Sequence, residues 1–172
     1  MTRSMKQVLI LVGVSGSGKS TWAKEFCQNE PNWLRISRDE LRRSLIPVSL
    51  GAYWHWPKED QDRIERLVDR LHTRLLLDAL RDGWQVIMDN THLKKAYFDT
   101  YKTLLLRNVP AFEMQYKLFD PPLEVCQERD HLRPDSVGAN AIAHQYAFLQ
   151  ELKTTFDFKP FTWPAASPNL VI

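Results

Sequence analysis

Val8-Leu9-Ile10-Leu11-Val12 runs without a break into Gly13-Val14-Ser15-Gly16-Ser17-Gly18-Lys19-Ser20-Thr21, and a helix-forming stretch follows. A short apolar run bounded by glycine reads as a buried strand. It delivers the chain to a turn in which Gly13, Gly16 and Gly18 permit positive φ and let the backbone approach an anion closely. Consecutive backbone N–H groups through Ser15, Gly16, Ser17 and Gly18 line a concave nest, and a helix starting near Lys19 aims the positive end of its dipole at the same spot. Lys19 then reaches the β- and γ-phosphates, and the Ser20 hydroxyl, with Thr21 behind it, stands where a magnesium ion is held. The spacing G-x-x-x-x-G-K-S is complete. A glycine-rich turn without a ligand would need neither the strand before it nor the helix after it. The stretch therefore predicts a site for ATP and Mg2+.

The bulk properties fit one domain spanning residues 1–172, since 172 residues suffice for one full core. An apolar fraction of 44% and a charged fraction of 26% exclude disordered and fibrous classes. Net charge is only +2, which excludes a broadly nucleic-acid-coating surface but leaves room for a local basic groove. Cys27 and Cys126 stand far apart without ligand spacing, as expected in a reducing compartment. The first apolar run flows into the loop and reads as a core strand rather than a signal peptide. No apolar run approaches 18 residues. A cytoplasmic, soluble protein is expected.

Further along, strands are expected at residues 33–36, 84–88 and 112–119, with helices at 19–29, from Ser37 to before Pro47, 58–82, 94–107, from Asp120-Pro121 to Arg133, and 137–155. Ser37-Arg38-Asp39-Glu40 reads as a capping box. The long helix is expected to bury Ile64, Leu67, Val68, Leu71 and Leu75. Residues 47–57, with Tyr53-Trp54-His55-Trp56, read as irregular, and Leu170-Val171-Ile172 as a final edge strand. Strands alternating with helices imply a parallel sheet covered on both faces, with ligands at the carboxyl ends of the strands. Three loops then qualify: the phosphate loop, Ser37 to Arg43, and Asp89 to His92.

Asp39 sits at the start of its helix, with Arg42 and Arg43 three and four residues on, so at least one arginine shares its face. The carboxylate suits orienting an acceptor hydroxyl in phosphoryl transfer; equally, it suits a surface ion pair worth ~0.3 kcal/mol. Arg129 and Arg133, four apart, read as one helix face able to clamp phosphates, next to a hinge at residues 134–138. Their alternative is a solvated face partnered by Glu124 and Glu128. Asp89 is placed to hold magnesium-bound water. Asn90 and Thr91 read equally as acceptor-side groups or as caps of the next helix. Tyr53, Trp54 and Trp56 suit base stacking or packing. No histidine falls in a metal-binding pattern.

With these residues in place, the chain resembles the kinase domain of the bacteriophage-type polynucleotide 5′-hydroxyl kinases, over most of its length to about residue 155. The resemblance rests on Gly13 to Ala23 with its Thr-Trp-Ala, on Ile36-Ser37-Arg38-Asp39-Glu40-Leu41-Arg42, and on Val86 to Leu93. It implies an α/β fold of the P-loop NTPase, adenylate-kinase-like type, in three layers with a helical lid. It implies that Asp39 engages the acceptor 5′-hydroxyl, that Arg42 contacts the acceptor's phosphate, and that Arg129 and Arg133 hold ATP phosphates, with Val137 on the acceptor side. Asn90 stands where that family has an aspartate that pairs with the arginine, and the neighbouring Asp89 is the expected compensation. No 3′-phosphatase activity is expected.

The function so implied is ATP- and magnesium-dependent phosphorylation of 5′-hydroxyl ends of DNA or RNA, in nucleic-acid end repair. The expected roles are Lys19 on the phosphates, Ser20 and Asp89 at the metal, Asp39 and Arg42 at the acceptor with Asn90, Thr91 and Val137, and Arg129 and Arg133 on transferring charge. Two rivals share the loop: a small-molecule kinase acting on a sugar, antibiotic or nucleotide sugar, and a nucleotide-binding regulatory module with little transfer.

Overall fold

The computed structural model describes residues 5–163; the strand expected at 170–172 lies outside them. In chain order the elements are β1 (Lys6–Val12), α1 (Lys19–Asn29), β2 (Trp33–Ile36), α2 (Arg38–Leu45), α3 (Leu50–Tyr53) and α4 (Lys58–Arg81), followed by β3 (Gln85–Met88), α5 (Lys95–Asn108), β4 (Phe112–Leu118), α6 (Leu123–His131) and α7 (Ala139–Thr155). The four strands form one parallel sheet in the order β2-β3-β1-β4. β1 is central: Val8 lies opposite Val86 on one side and Met114 on the other. Its unbroken apolar run follows, because a parallel strand covered on both faces has no solvent side for a polar residue.

Alternate residues divide between the two faces. Val8, Ile10, Val12, Val86 and Met88 pack with Leu76, Leu80, Phe98, Leu105, Ile142 and Leu149 from α4, α5 and α7. Leu9, Leu11 and Ile87 meet Ala23, Trp22 and Phe26 of α1. After α7 the chain serves both layers: Phe156 and Phe158 join the first, and Phe161 and Trp163 the second. The three-layer α/β architecture is the one expected.

Several local readings shift. α4 buries Val68, His72, Leu76, Leu77 and Leu80, whereas Leu75 is exposed. The inward row therefore runs 68-72-76-80, every fourth residue, and includes a histidine that the apolar count passed over. The region 47–57 is not wholly irregular: α3 forms within it, and the Ser49 hydroxyl caps it by accepting from Ala52 N–H at 3.2 Å. Only half of the capping box forms. Ser37 Oγ accepts from Glu40 N–H at 3.5 Å, while the Glu40 carboxylate turns to Arg35 and Arg43. α6 starts after Pro121-Pro122 and stops at His131, leaving Arg133 beyond the helix.

Candidate active site

Hydrogen bonds between neighbouring strand ends build the floor of the site. Gly13 N–H donates to the Thr91 carbonyl at 3.0 Å, Phe119 N–H to Val12 at 2.8 Å, and Asp89 N–H to Ile36 at 2.9 Å. The phosphate loop, the 89–92 loop and the start of α2 are thereby drawn to one edge of the sheet. The loop also packs tightly: a Cβ on Gly13 would lie 2.7 Å from the Phe119 carbonyl oxygen, and one on Gly16 only 2.2 Å from that of Cys126. At Gly16 the backbone also takes φ 76°, so this position excludes a side chain twice over.

A cavity of about 840 Å³ opens above this edge. Ser15 to Thr21 form one wall, Asp39 and Arg43 stand on the α2 side with Asp89, Asn90 and Thr91 between, and Arg129, Arg133 and Val137 come from the α6–α7 side. Lys19 Nζ folds back to donate to the Val14 carbonyl at 2.7 Å and to Ser17 Oγ at 3.2 Å. Burial pulls its pKa down to about 8, against the opposing charge of Asp89. Ser15 N–H donates to Gln145 Oε1 at 2.8 Å, a link to α7 that no motif announced.

On α2 the expected shared face exists. Arg42 Nη1 donates to Asp39 Oδ1 at 2.7 Å, while Arg43 lines the cavity and bonds Asp135 Oδ2 at 3.1 Å. Arg42 is only 9% exposed. Its Nε and Nη2 donate to the two oxygens of Glu65 at 2.8 and 2.7 Å, so three of its five N–H donors are engaged. Glu65, on α4, also accepts from Tyr53 Oη at 2.8 Å and from Arg38 Nη2 at 3.0 Å. The surrounding donors, against the cost of burial, hold its carboxyl down at about pKa 2. Besides Asp39, the acidic partner of Arg42 is therefore neither position 90 nor Asp89, as the sequence suggested, but a residue 23 positions downstream of it. Asp89, 3% exposed, instead accepts from Arg35 Nε at 2.6 Å.

Asn90 does not cap the following helix, whose first turn has no side-chain cap. Its Oδ1 accepts from Arg38 N–H at 2.9 Å, fixing the start of α2, and its Nδ2 faces His72 Nε2 at 3.1 Å and His92 Nε2 at 3.4 Å. His92, in the left-handed region at φ 48°, places Nδ1 2.7 Å from the Leu11 carbonyl. A carbonyl only accepts, so Nδ1 carries the proton and Nε2 is the acceptor for Asn90 and for Tyr101 Oη at 3.1 Å. Burial pushes the His72 pKa down to about 3 and the His92 pKa down to about 4.

On the opposite wall, Arg129 approaches the loop at Gly18, where a Cβ would meet its Nη1 at 3.7 Å. The segment read as a hinge is pinned: buried Asp130 accepts from Ser136 Oγ at 2.7 Å, Val137 N–H at 3.0 Å and Gly138 N–H at 3.1 Å. That anchor brings Arg133 and Val137 to the cavity although α6 has ended. Of the two tryptophans, Trp54 lines the cavity, while Trp56 packs against the cluster of Ile46, Leu50 and Tyr53.

The chain is similar to several known proteins. A protein of Autographa californica nuclear polyhedrosis virus, assigned by inference as a bifunctional polynucleotide kinase/RNA ligase, is 28% identical over 149 residues, 83% of this chain and 21% of its own length. A Rattus norvegicus protein, likewise assigned by inference as a gluconokinase, is 37% identical over 92 residues, 54% of this chain and 47% of its own length. A chain in a solved structure of the Pnkp1/Rnl/Hen1 RNA repair complex superposes with a TM-score of 0.70 at 29% identity, covering 99% of this chain and 52% of that one. The chain thus spans about half of these relatives, or less. A model of the AAA domain matches residues 8–155, from β1 to the end of α7, and the chain belongs to that family.

Proposed function

We propose that the chain is an ATP- and Mg2+-dependent kinase that transfers the γ-phosphate to the 5′-hydroxyl end of DNA or RNA. The observation that carries this reading is one cavity with a phosphate loop on one wall and an arginine-braced carboxylate, Asp39, on the other. Its polynucleotide-kinase relatives support the choice of acceptor.

The loop amides and Lys19 receive the triphosphate, whose charge draws the Lys19 ammonium away from the Val14 carbonyl. Ser20 and Asp89 line the same cavity as the loop and present oxygen donors, which fits a magnesium ion shared with phosphate oxygens. A magnesium ion held there would supply charge neutralisation on the phosphates. Arg42 aims the Asp39 carboxylate, which accepts the proton of the attacking 5′-hydroxyl. The two remaining N–H donors of Arg42, with Arg43 at the wall, take the acceptor's first phosphate. Asn90, Thr91 and Val137 border the acceptor path, and Arg129 and Arg133 meet the charge that spreads over the transferring group.

Acceptor-dependent ADP release tests this. Turnover with a 5′-hydroxyl DNA or RNA oligonucleotide, and little with gluconate, is expected. The reverse pattern would support the small-molecule reading that the rat relative favours, and ATP binding without release for any acceptor would support the regulatory one.

A further inference from the structure

Trp54 follows α3 directly, and its indole stands in the cavity wall, 43% exposed. Packing does not take up this ring as it does the neighbouring Trp56, which is partly buried against the Ile46–Leu50–Tyr53 cluster. The ring is nonetheless held. Tyr53 lies 4.7 Å away, ring centre to ring centre, and the Arg42 guanidinium carbon sits 5.1 Å from the indole centroid. Arg42 is in turn fixed by Glu65, Glu65 by Tyr53, and the Trp54 carbonyl accepts from Gln61 Nε2 at 3.2 Å. The surrounding fold thus orders the ring before any ligand arrives, which removes part of the entropic cost of binding on it.

The same guanidinium touches both Trp54 and Asp39. A sugar whose 5′-hydroxyl meets Asp39 therefore carries its base within reach of this ring. With Arg42 and Tyr53 both packed on it, the indole still leaves 43% of the residue open in the cavity wall to a flat π-system, and base–aromatic stacking tolerates any base. Building on the polynucleotide-kinase reading, we propose that Trp54 is the stacking platform for the unpaired nucleobase of the acceptor's 5′-terminal nucleotide. A polyol acid such as gluconate offers no π-face to it.

The test compares a 5′-hydroxyl oligonucleotide with the same strand made abasic at its 5′-terminal nucleotide, using the full chain. With the wild type, the abasic end should raise the acceptor KM about tenfold, the lower range of one stacked base. Trp54→Ala should raise the KM of the intact strand by the same factor, with kcat within about twofold, and should leave the abasic strand unchanged; Trp54→Phe should keep most of the effect. Comparing two acceptors on one variant removes any general loss of folded protein. Equal shifts for both strands, or no shift, overturn the platform while leaving the kinase reading intact. A shift in the KM of ATP instead would assign the ring to the donor's base and also overturn it. Failure to phosphorylate any 5′-hydroxyl strand removes the reading and the platform together.

Discussion

Asp39 and Lys19 carry the two halves of the proposed chemistry, and they fail differently. Asp39 touches Arg42 but nothing in the phosphate loop among its hydrogen bonds. Asp39→Ala should therefore cut acceptor phosphorylation by about a hundredfold or more, the usual worth of a positioned base, while ATP affinity stays within about twofold. Nucleotide titration alongside initial rates checks both, and retention of more than about a tenth of turnover would remove Asp39 from its role. The residues of the loop were legible because the glycines, Lys19 and Ser20 of the phosphate-loop pattern all lie within Gly13 to Thr21. Glu65 was not. Its meaning depends on which helix faces meet, and neither a motif nor a periodicity places a glutamate of α4 against an arginine of α2.

At the scale of elements, α2 and α4 are joined by charge rather than by apolar packing. Glu65 binds Arg42 through two bonds, and Arg38 reaches both Glu65 and Asp69. Glu65→Ala would leave the buried Arg42 guanidinium with Asp39 as its one acidic partner and the Tyr53 hydroxyl with the Gln61 carbonyl alone, so a loss of about 2–4 kcal/mol in unfolding free energy is expected. Asp62→Ala, which removes only the exposed pair with Lys58, should cost under about 1 kcal/mol. Urea unfolding of both variants makes the comparison, and similar losses would mean that Glu65 is a surface charge like any other. The parallel sheet and its helices were readable from apolar patterns, since β1 runs unbroken, as a strand covered on both faces does, and β4 alternates. What periodicity missed was polar. His72 continues the buried row of α4 because Asn90 satisfies it, and Asp130 replaces helical continuity as the device that carries Arg133 and Val137 to the cavity. Both depend on partners distant or irregular in sequence, where hydrophobic period carries no signal.

For the whole molecule, those buried polar groups set a dependence on pH. His72 and His92 are neutral acceptors beneath the active site, with pKa values pushed by burial to about 3 and about 4. Unfolded histidines titrate near 6.5. The folded values lie lower, so the unfolded chain binds more protons as pH falls, and the stability these rings contribute is complete above about 6.5 and lost as pH drops toward 4 and then 3. The slope reaches about 1.4 kcal/mol per pH unit for each ring. Glu65 acts in a lower window: its carboxyl is held at about 2, so its contribution is complete above about 4.5 and fades between there and 2. The two rings give a decline that begins near pH 6.5, well before carboxylates titrate, whereas Lys19, held at about 8, alters stability only above about pH 7. Denaturant unfolding at half-unit steps from pH 8 to pH 4.5 measures the decline. His72→Gln keeps an acceptor for Asn90 but removes one titrating ring, so it should flatten the upper part of the decline even if it is less stable at pH 8. A wild-type curve level between pH 7.5 and 5 would mean that the two rings accept protons in the folded protein, and the hydrogen-bond assignment around Asn90 would have to be reversed.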